Sequence, residues 1–161
     1  MATKKKAKRS PARRKRPAAR KRPAPKRHAR HRPETFRARG VTVSLTVNDL
    51  PRSTAWYTNT LGFAQASKWE DGGVLQGVEL KAGTTRVILN QDDWAKGRDR
   101  QKGLGMSLYF STAQNLDHLA ERIRTNGGTL DRGPERTSWG SYSFSLTDPD
   151  GFKLTFTQLE R

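Results

Sequence analysis

A regular pattern of apolar residues begins abruptly at position 41 of this chain and then follows two different periods. Residues 41–47 (VTVSLTV) alternate apolar and polar side chains, which predicts a strand with one buried face. Asp49, Pro51 and Gly62 supply the cap, the first turn and the end of a helix. Turn signals separate three further predicted strands, at 63–69, 74–80 and 84–90. The first half of the chain is therefore predicted to be βαβββ.

The second half repeats this order of elements. Residues 107–110 match the first strand. A helix that ends at 126–128 is predicted from apolar residues at i, i+3, i+4 and i+7, namely Leu116, Leu119, Ala120 and Ile123. The last three strands are predicted near 129–132, 141–147 and 152–158.

An internal duplication follows from this repeat. An offset of 65 residues places Leu45 on Phe110, Gly62 on Gly127 and Val87 on Phe152. The duplication predicts an α+β fold of two tandem βαβββ modules. The expected bounds are about 41–90 and 104–159, with a linker at 91–103.

Charge divides the chain at the same place as the apolar pattern. The 161 residues carry 32 Lys and Arg against 15 Asp and Glu, a formal net charge of +17. Residues 1–40 hold 18 of the basic residues and a single acid, Glu34, so residues 41–161 have no net charge. Before Pro33 the segment has no Leu, Ile, Val or aromatic residue. We therefore expect a disordered tail at 1–40 and one folded domain at 41–161.

Several protein classes are excluded by composition. The chain has no Cys, which excludes a disulfide scaffold, a cysteine zinc site and a Cys nucleophile. It has no apolar run of the roughly 20 residues that span a bilayer, and its first residues lack the apolar core of a secretory signal. The sequence favours a cytoplasmic protein, and the basic tail is compatible with association with the nucleoid.

The tail has the composition of a nucleic-acid-binding segment. Its candidate phosphate contacts are Lys4, Lys5, Lys6, Arg13, Arg14, Lys15, Arg16, Arg20, Lys21 and Arg22. Without aromatic residues to stack on bases, no sequence preference is expected. The composition resembles the tails of linker histones and bacterial histone-like proteins. The alternatives are a solubilising extension or an anchor to an anionic surface. His28 and His31 lie within the basic run and are not interpreted as metal ligands.

Three segments of the domain resemble one known superfamily. These are VNDLPRSTAWYTNTLGF, SLYFSTAQNLDHLAERIRTNGG and DPDGFKLTFTQ. They are similar to the first strand–helix unit, the start of the second module and the closing hairpin of the vicinal-oxygen-chelate superfamily. That superfamily includes glyoxalase I, bleomycin-resistance proteins and extradiol dioxygenases. The resemblance implies sheets curved around a cleft, usually within a homodimer.

The resemblance also implies four inward positions that hold a metal ion in the metal-dependent members. In this sequence those positions are Thr42, Asn90 (Leu89 if the strand slips by one), Ser107 and Thr155. None is His or Glu, and hydroxyl groups are poor ligands for transition metals. We therefore expect no metal and no cofactor. The single His of the domain, His118, is expected to be an exposed helix residue.

A cleft without metal ligands would bind through hydroxyl groups and aromatic rings. The predicted ligand contacts are Thr42, Ser44, Thr46, Asn90, Trp94, Ser107, Tyr109, Trp139 and Thr155. The alternative for the tryptophans is a place in the core or at a dimer interface. No catalytic residue is predicted, because Ser138 and Ser141 have no nearby His. Asp92 and Asp93 are expected in a solvated loop, and Asp148 and Asp150 in a turn.

Three functions fit these observations. The leading hypothesis is a metal-free small-molecule-binding protein with a tail that binds nucleic acid non-specifically. The second is a superfamily enzyme, a lyase or dioxygenase-like protein, with an unrecognised site. The third is a nucleic-acid-associated structural protein in which the domain supplies dimerisation.

Overall fold

The computed structural model describes residues 38 and 40–159. The predictions on the tail, including its ten candidate nucleic-acid contacts, lie outside the described residues. The elements are β1 (Val43–Val47), α1 (Leu50–Asn59), β2 (Ala64–Asp71), β3 (Val74–Ala82), β4 (Thr85–Gln91), β5 (Ser107–Thr112), α2 (Leu116–Thr125), β6 (Leu130–Arg136), β7 (Tyr142–Thr147) and β8 (Lys153–Gln158).

The eight strands form two four-stranded sheets. The strand orders are β1-β4-β3-β2 in the first sheet, called sheet A, and β5-β8-β7-β6 in the second, called sheet B. In each sheet the first and last strands of the module pair in parallel, and the remaining pairs are antiparallel. Helix α1 packs on β3 and β4, and α2 packs on β6, β7 and β8. The prediction of an α+β fold with two βαβββ modules is confirmed.

The offset between the modules changes along the chain. Val43 pairs with Val87 in sheet A, whereas Leu108 pairs with Leu154 in sheet B. Val87 therefore corresponds to Leu154 and not to Phe152, so the predicted offset of 65 is wrong for the last strands. The connections at 137–141 and 148–152 are longer than their counterparts in the first module, which shifts the final strand by two residues.

Side-chain caps begin both helices; the cap of α1 was predicted from the sequence, and the cap of α2 was not. The Asp49 carboxylate accepts a hydrogen bond of 2.9 Å from the backbone N–H of Arg52 at the start of α1. Asn115 does the same for His118 in α2, also at 2.9 Å. After α1 the chain turns at Gly62, whose φ of +80° favours glycine. The predicted apolar stripe of α2 is buried.

A ladder of aromatic rings joins the two modules inside one hydrophobic core. The centroids of Phe63 in the first module and Phe110 in the second lie 5.7 Å apart, edge to face. Tyr57 extends the ladder at 5.6 Å from Phe63, and Phe156 stacks on Phe110 at 5.2 Å and on Phe144 at 5.0 Å. Such aromatic contacts add to the free energy gained by burial alone. The modules are therefore packed as one unit.

Polar contacts reinforce the junction between the modules. The turn before β8 carries Asp150, whose carboxylate accepts hydrogen bonds from the Ser53 hydroxyl and from the backbone N–H of Asn48, both at 2.6 Å. The predicted turn at Asp148 and Asp150 is thus confirmed, and it also ties the second module to the start of α1.

Within the described residues, no helix is long and apolar enough to cross a bilayer.

Candidate functional site

The open face of sheet A carries hydroxyl and amide groups. Strand alternation turns Leu45 and Val47 into the core, so Ser44 and Thr46 point to the opposite face of β1. Thr46 pairs in register with Asn90 of β4. The Asn90 amide nitrogen donates a hydrogen bond of 2.7 Å to the Ser44 hydroxyl. Ser44, Thr46 and Asn90, three of the predicted ligand contacts, therefore form one polar patch.

An aromatic ring lies beside this patch. Gly77 of β3 pairs in register with Asn90 on one side and with Trp69 of β2 on the other. A Cβ atom on Gly77 would overlap the Trp69 indole, so the ring lies directly over the glycine. Trp69 stays partly exposed. The absence of a side chain at position 77 thus makes room for an aromatic wall next to Asn90.

A cluster of paired charged and polar side chains lies on the same face of sheet A. Glu79 accepts hydrogen bonds from Arg86 at 2.7 Å and from the Ser67 hydroxyl at 2.9 Å. These two hydrogen bonds hold the pKa of the Glu79 carboxyl below its usual value. Because its charge is already satisfied within the cluster, Glu79 offers little electrostatic attraction to a ligand.

The open face of sheet B has a similar composition. Leu108 and Phe110 point towards the core, so Ser107 and Tyr109 lie on the outer face of β5. Tyr109 pairs in register with Thr155 of β8, and its side chain is 69% exposed. The structure therefore brings the predicted contacts Ser107, Tyr109 and Thr155 together on one face.

A further hydroxyl group lies in the floor of this face. Ser143 of β7 pairs in register with Thr157 of β8. Its Oγ atom is buried and has no hydrogen-bond partner among the residues that the structure describes. An unpaired buried hydroxyl costs free energy, which a ligand or a water molecule would recover.

Trp139 lies in the turn that leads into β7. Hydrogen bonds from the backbone N–H of Thr137 to the carbonyl of Ser141, and from Gly140 to Thr137, hold this turn in place at 2.8 and 2.9 Å. The Trp139 side chain is 71% exposed. Trp139 is therefore a single exposed aromatic residue on an ordered turn.

Thr42 and Trp94, like Trp139, lie outside the two open sheet faces. Thr42 is exposed and precedes β1 by one residue, so it is outside the hydrogen-bonded register of the sheet. Trp94 lies in the linker between the modules. The guanidinium carbon of Arg98 is 4.8 Å from the centroid of its ring, and Lys102 Nζ is 5.2 Å from the same point. Trp94 thus has cationic neighbours within its own linker.

The linker contains a buried carboxylate where the sequence predicted a solvated loop. Asp92 is only 5% exposed, and its Oδ2 atom lies 2.9 Å from Arg100 and 2.6 Å from Lys102 Nζ. Lys102 Nζ forms an ion pair with Asp92, but it makes no hydrogen bond of good geometry with any of the described residues. The two cations hold the pKa of Asp92 well below its usual value. The prediction of a solvated loop is therefore wrong for Asp92, because Arg100 and Lys102 fold back over it.

The side chains at the four inward positions do not fit a divalent metal ion. Thr42, Asn90, Ser107 and Thr155 offer hydroxyl and amide oxygens without charge. Across residues 38 and 40–159, no three His, Asp or Glu side chains come close enough to hold a metal ion. In the register of the two sheets, Thr155 of β8 is equivalent to Ile88 of β4, so Asn90 and Thr155 are not equivalent positions of the two modules. The chemistry of these four side chains therefore does not suit a metal centre.

The position of Trp69 beside the polar patch of sheet A was not predicted from the sequence. The tryptophan has no distinctive sequence neighbours, and its position depends on pairing with Gly77 across the β2–β3 hairpin. An isolated glycine inside a strand pattern indicates a close approach at that point. Gly77 was the available signal.

Comparison with solved structures finds the same fold in several proteins. TioX from Micromonospora sp. ML1 is 18% identical, with a TM-score of 0.60 over 73% of this chain and 95% of its own. TnmS3 from Streptomyces sp. CB03234, described as an antibiotic binding protein, is 20% identical, with a TM-score of 0.59 over 74% and 93%. A superfamily member from Sphaerobacter thermophilus DSM 20745 is 24% identical, with a TM-score of 0.60 over 74% and 98%.

A comparison with curated proteins finds no match. A family model, however, matches residues 39–156, which includes every helix and strand up to β8. The match covers both modules and both open sheet faces. The chain therefore belongs to the Glyoxalase/Bleomycin resistance protein/Dioxygenase superfamily.

Proposed function

We propose that the domain binds a small organic molecule on its open sheet faces without using a metal ion. The observation that carries this proposal is the composition of those faces. Each combines neutral hydrogen-bonding groups with an exposed aromatic ring, Trp69 on sheet A and Tyr109 on sheet B. Small-molecule sites have this combination of flat apolar surface and a few polar groups. TnmS3, which shares the fold, is described as an antibiotic binding protein and offers a precedent.

Planar aromatic antibiotics are suitable first probes for this site. Their binding to the full-length protein can be followed through tryptophan fluorescence, because Trp69 and Trp139 are partly or largely exposed. We expect Tyr109→Ala and Trp69→Ala to weaken binding by about tenfold each, given the usual free energies of aromatic contacts. Ala66→Ser, an exposed change in β2, serves as a control. If no member of a broad panel binds, the proposal fails.

We further propose that the protein is a homodimer. All eight residues of β2 are exposed, and Val74, at the start of β3, is 60% exposed. An exposed edge strand of this length invites pairing with another chain. Sedimentation of the full-length protein should give twice the 18.2 kDa of a single chain. A monomer at micromolar concentration would contradict this part of the proposal.

The basic segment at residues 1–40 is proposed to bind nucleic acid through phosphate contacts. The partition of charge supports this, because the whole excess of +17 lies before the folded domain. The domain at 41–161 would then be a separate folding unit in a cytoplasmic, nucleic-acid-associated protein. Removal of residues 1–35 should leave its melting temperature unchanged within a few degrees, and loss of cooperative unfolding would contradict that boundary.

A further inference from the structure

A cavity of about 450 Å³ lies where the two modules meet, apart from the open sheet faces. Its first-module wall is the α1–β2 junction and the β3–β4 turn. Its second-module wall is the end of β5, the turn that follows it, and Leu119 and Arg122 of α2. The volume falls within the usual range for small-molecule sites, roughly 300–1,000 Å³. The described residues that line this junction cavity include none of the predicted ligand contacts.

The floor of the junction cavity is apolar and aromatic. Leu61, Phe63, Phe110 and Phe156 line it. The three phenylalanine rings belong to the aromatic ladder of the core, with centroid distances of 5.7 and 5.2 Å between successive rings. Because these rings are fixed by packing on both sides, the floor is formed before a ligand arrives.

The charged side chain in the lining of the junction cavity is Arg122 of α2. A terminal nitrogen of its guanidinium lies 3.8 Å from the position that a Cβ atom on Gly62 would occupy, so the group reaches across to the first module. Neither a hydrogen bond nor an ion pair connects this side chain to another of the described residues. Arg124, two residues later on the same helix, is paired with Glu121 at 3.5 Å. Among the described residues, no acidic side chain lines the cavity.

We propose that the junction cavity binds a monoanionic amphipathic molecule, an arylalkyl or alkyl carboxylate. Its apolar body lies over the phenylalanine floor, and its carboxylate pairs with Arg122. A guanidinium group matches a carboxylate with two parallel hydrogen bonds, and such charge-assisted bonds are stronger than neutral ones. Hydroxyl groups of Thr84 and Thr85 at the rim supply further hydrogen bonds. This site is independent of the one proposed on the open sheet faces.

The test compares 4-phenylbutyrate with its neutral amide, 4-phenylbutyramide. Full-length protein is titrated with each at 0.3 M salt, which screens attraction to the basic tail, and amide resonances are followed by NMR. We expect 4-phenylbutyrate to shift the resonances of Gly62, Gly83 and Ala113, and to bind about tenfold more tightly than the amide. Arg122→Gln should remove this difference between the two probes.

Arg124→Gln is the matched control, since it removes one charge from the same helix outside the junction cavity. It should keep the tenfold preference for the carboxylate. Equal affinity of the two probes for the unmodified protein would overturn the proposal. So would shifts confined to the tail or to the open sheet faces, or an equal loss of preference in both arginine variants. The NMR spectrum of each variant also shows whether that variant is folded, so misfolding is distinguished from a loss of binding.

Discussion

The Tyr57 hydroxyl donates a hydrogen bond of 2.9 Å to the Oδ2 atom of Asp148, across 91 residues of sequence. Tyr57 belongs to α1 in the first module, and Asp148 lies in the turn after β7 in the second. Both side chains are buried. The other carboxylate oxygen, Oδ1, accepts backbone hydrogen bonds from Asp150 and Phe152 at 3.0 and 2.8 Å. A single carboxylate thus shapes the turn and connects it to the opposite module.

We expect Tyr57→Phe to destabilise the domain by about 1–3 kcal/mol, because it leaves a buried carboxylate oxygen unpaired. Burial already raises the pKa of Asp148, so the folded state binds a proton more readily than the unfolded state does. Stability therefore falls as pH rises through the folded pKa of Asp148. The hydrogen bond from Tyr57 lowers that pKa, so its loss in the variant should extend the fall to higher pH. Urea unfolding from pH 4 to 8 measures both effects. Equal stability of the two proteins throughout would refute this account.

Asp92 should give the opposite dependence on pH. Its pKa is lowered by Lys102 and Arg100, so its contribution to stability is present above the unfolded value of about 3.8 and is lost as pH falls below it. Asp92→Asn should lower the urea midpoint at pH 7, and the difference from the unmodified protein should shrink towards pH 3. Asp93→Asn is the control, because Asp93 is exposed. A difference that is the same at both pH values would contradict the ion-pair explanation.

The close approach of Trp69 to Gly77 can be tested with a single methyl group. Gly77→Ala would displace the indole from the sheet, so we expect a red shift of the tryptophan emission and weaker binding of aromatic probes. Gly133→Ala is matched to it, since Gly133 also lies in a strand and has room for a Cβ atom. If the two variants give the same emission spectrum, the indole does not depend on the glycine.

Binding of nucleic acid by the tail should depend strongly on salt and weakly on sequence. Contact with about 8 phosphates of duplex DNA would give a log–log salt slope near −7, from about −0.9 per contact. Replacing Arg13, Arg14, Lys15 and Arg16 by Ala should reduce the slope in proportion to the number of phosphates that the variant no longer neutralises, with base preference unchanged. Affinity that is insensitive to salt would refute phosphate contact as its source.

The repeated pattern of the elements was accessible from sequence because it depends on local periodicity. The apolar stripe from Leu116 to Ile123 and the cap at Asp49 act within one or two helical turns. The shift that makes Val87 equivalent to Leu154 was not accessible, since it depends on loop lengths in the folded sheets.

Contacts between distant residues account for what sequence reasoning missed in the site. Tyr57 and Asp148, or Trp69 and Gly77, meet only after strands and modules have paired. The junction cavity likewise takes its walls from both modules. Alternation within a strand predicted which side chains share a face, as for Ser44 and Thr46, but gave no information on the neighbouring strand.

The claim that ligand binding uses no metal is tested most directly by one titration. The affinity of the full-length protein for an aromatic antibiotic that binds it is measured before and after exhaustive treatment with EDTA. We predict the same dissociation constant in both, because Thr42, Asn90, Ser107 and Thr155 offer no charged ligand to a metal ion. Loss of binding after EDTA, with recovery on addition of stoichiometric Zn, Ni, Mn or Fe, would contradict the account.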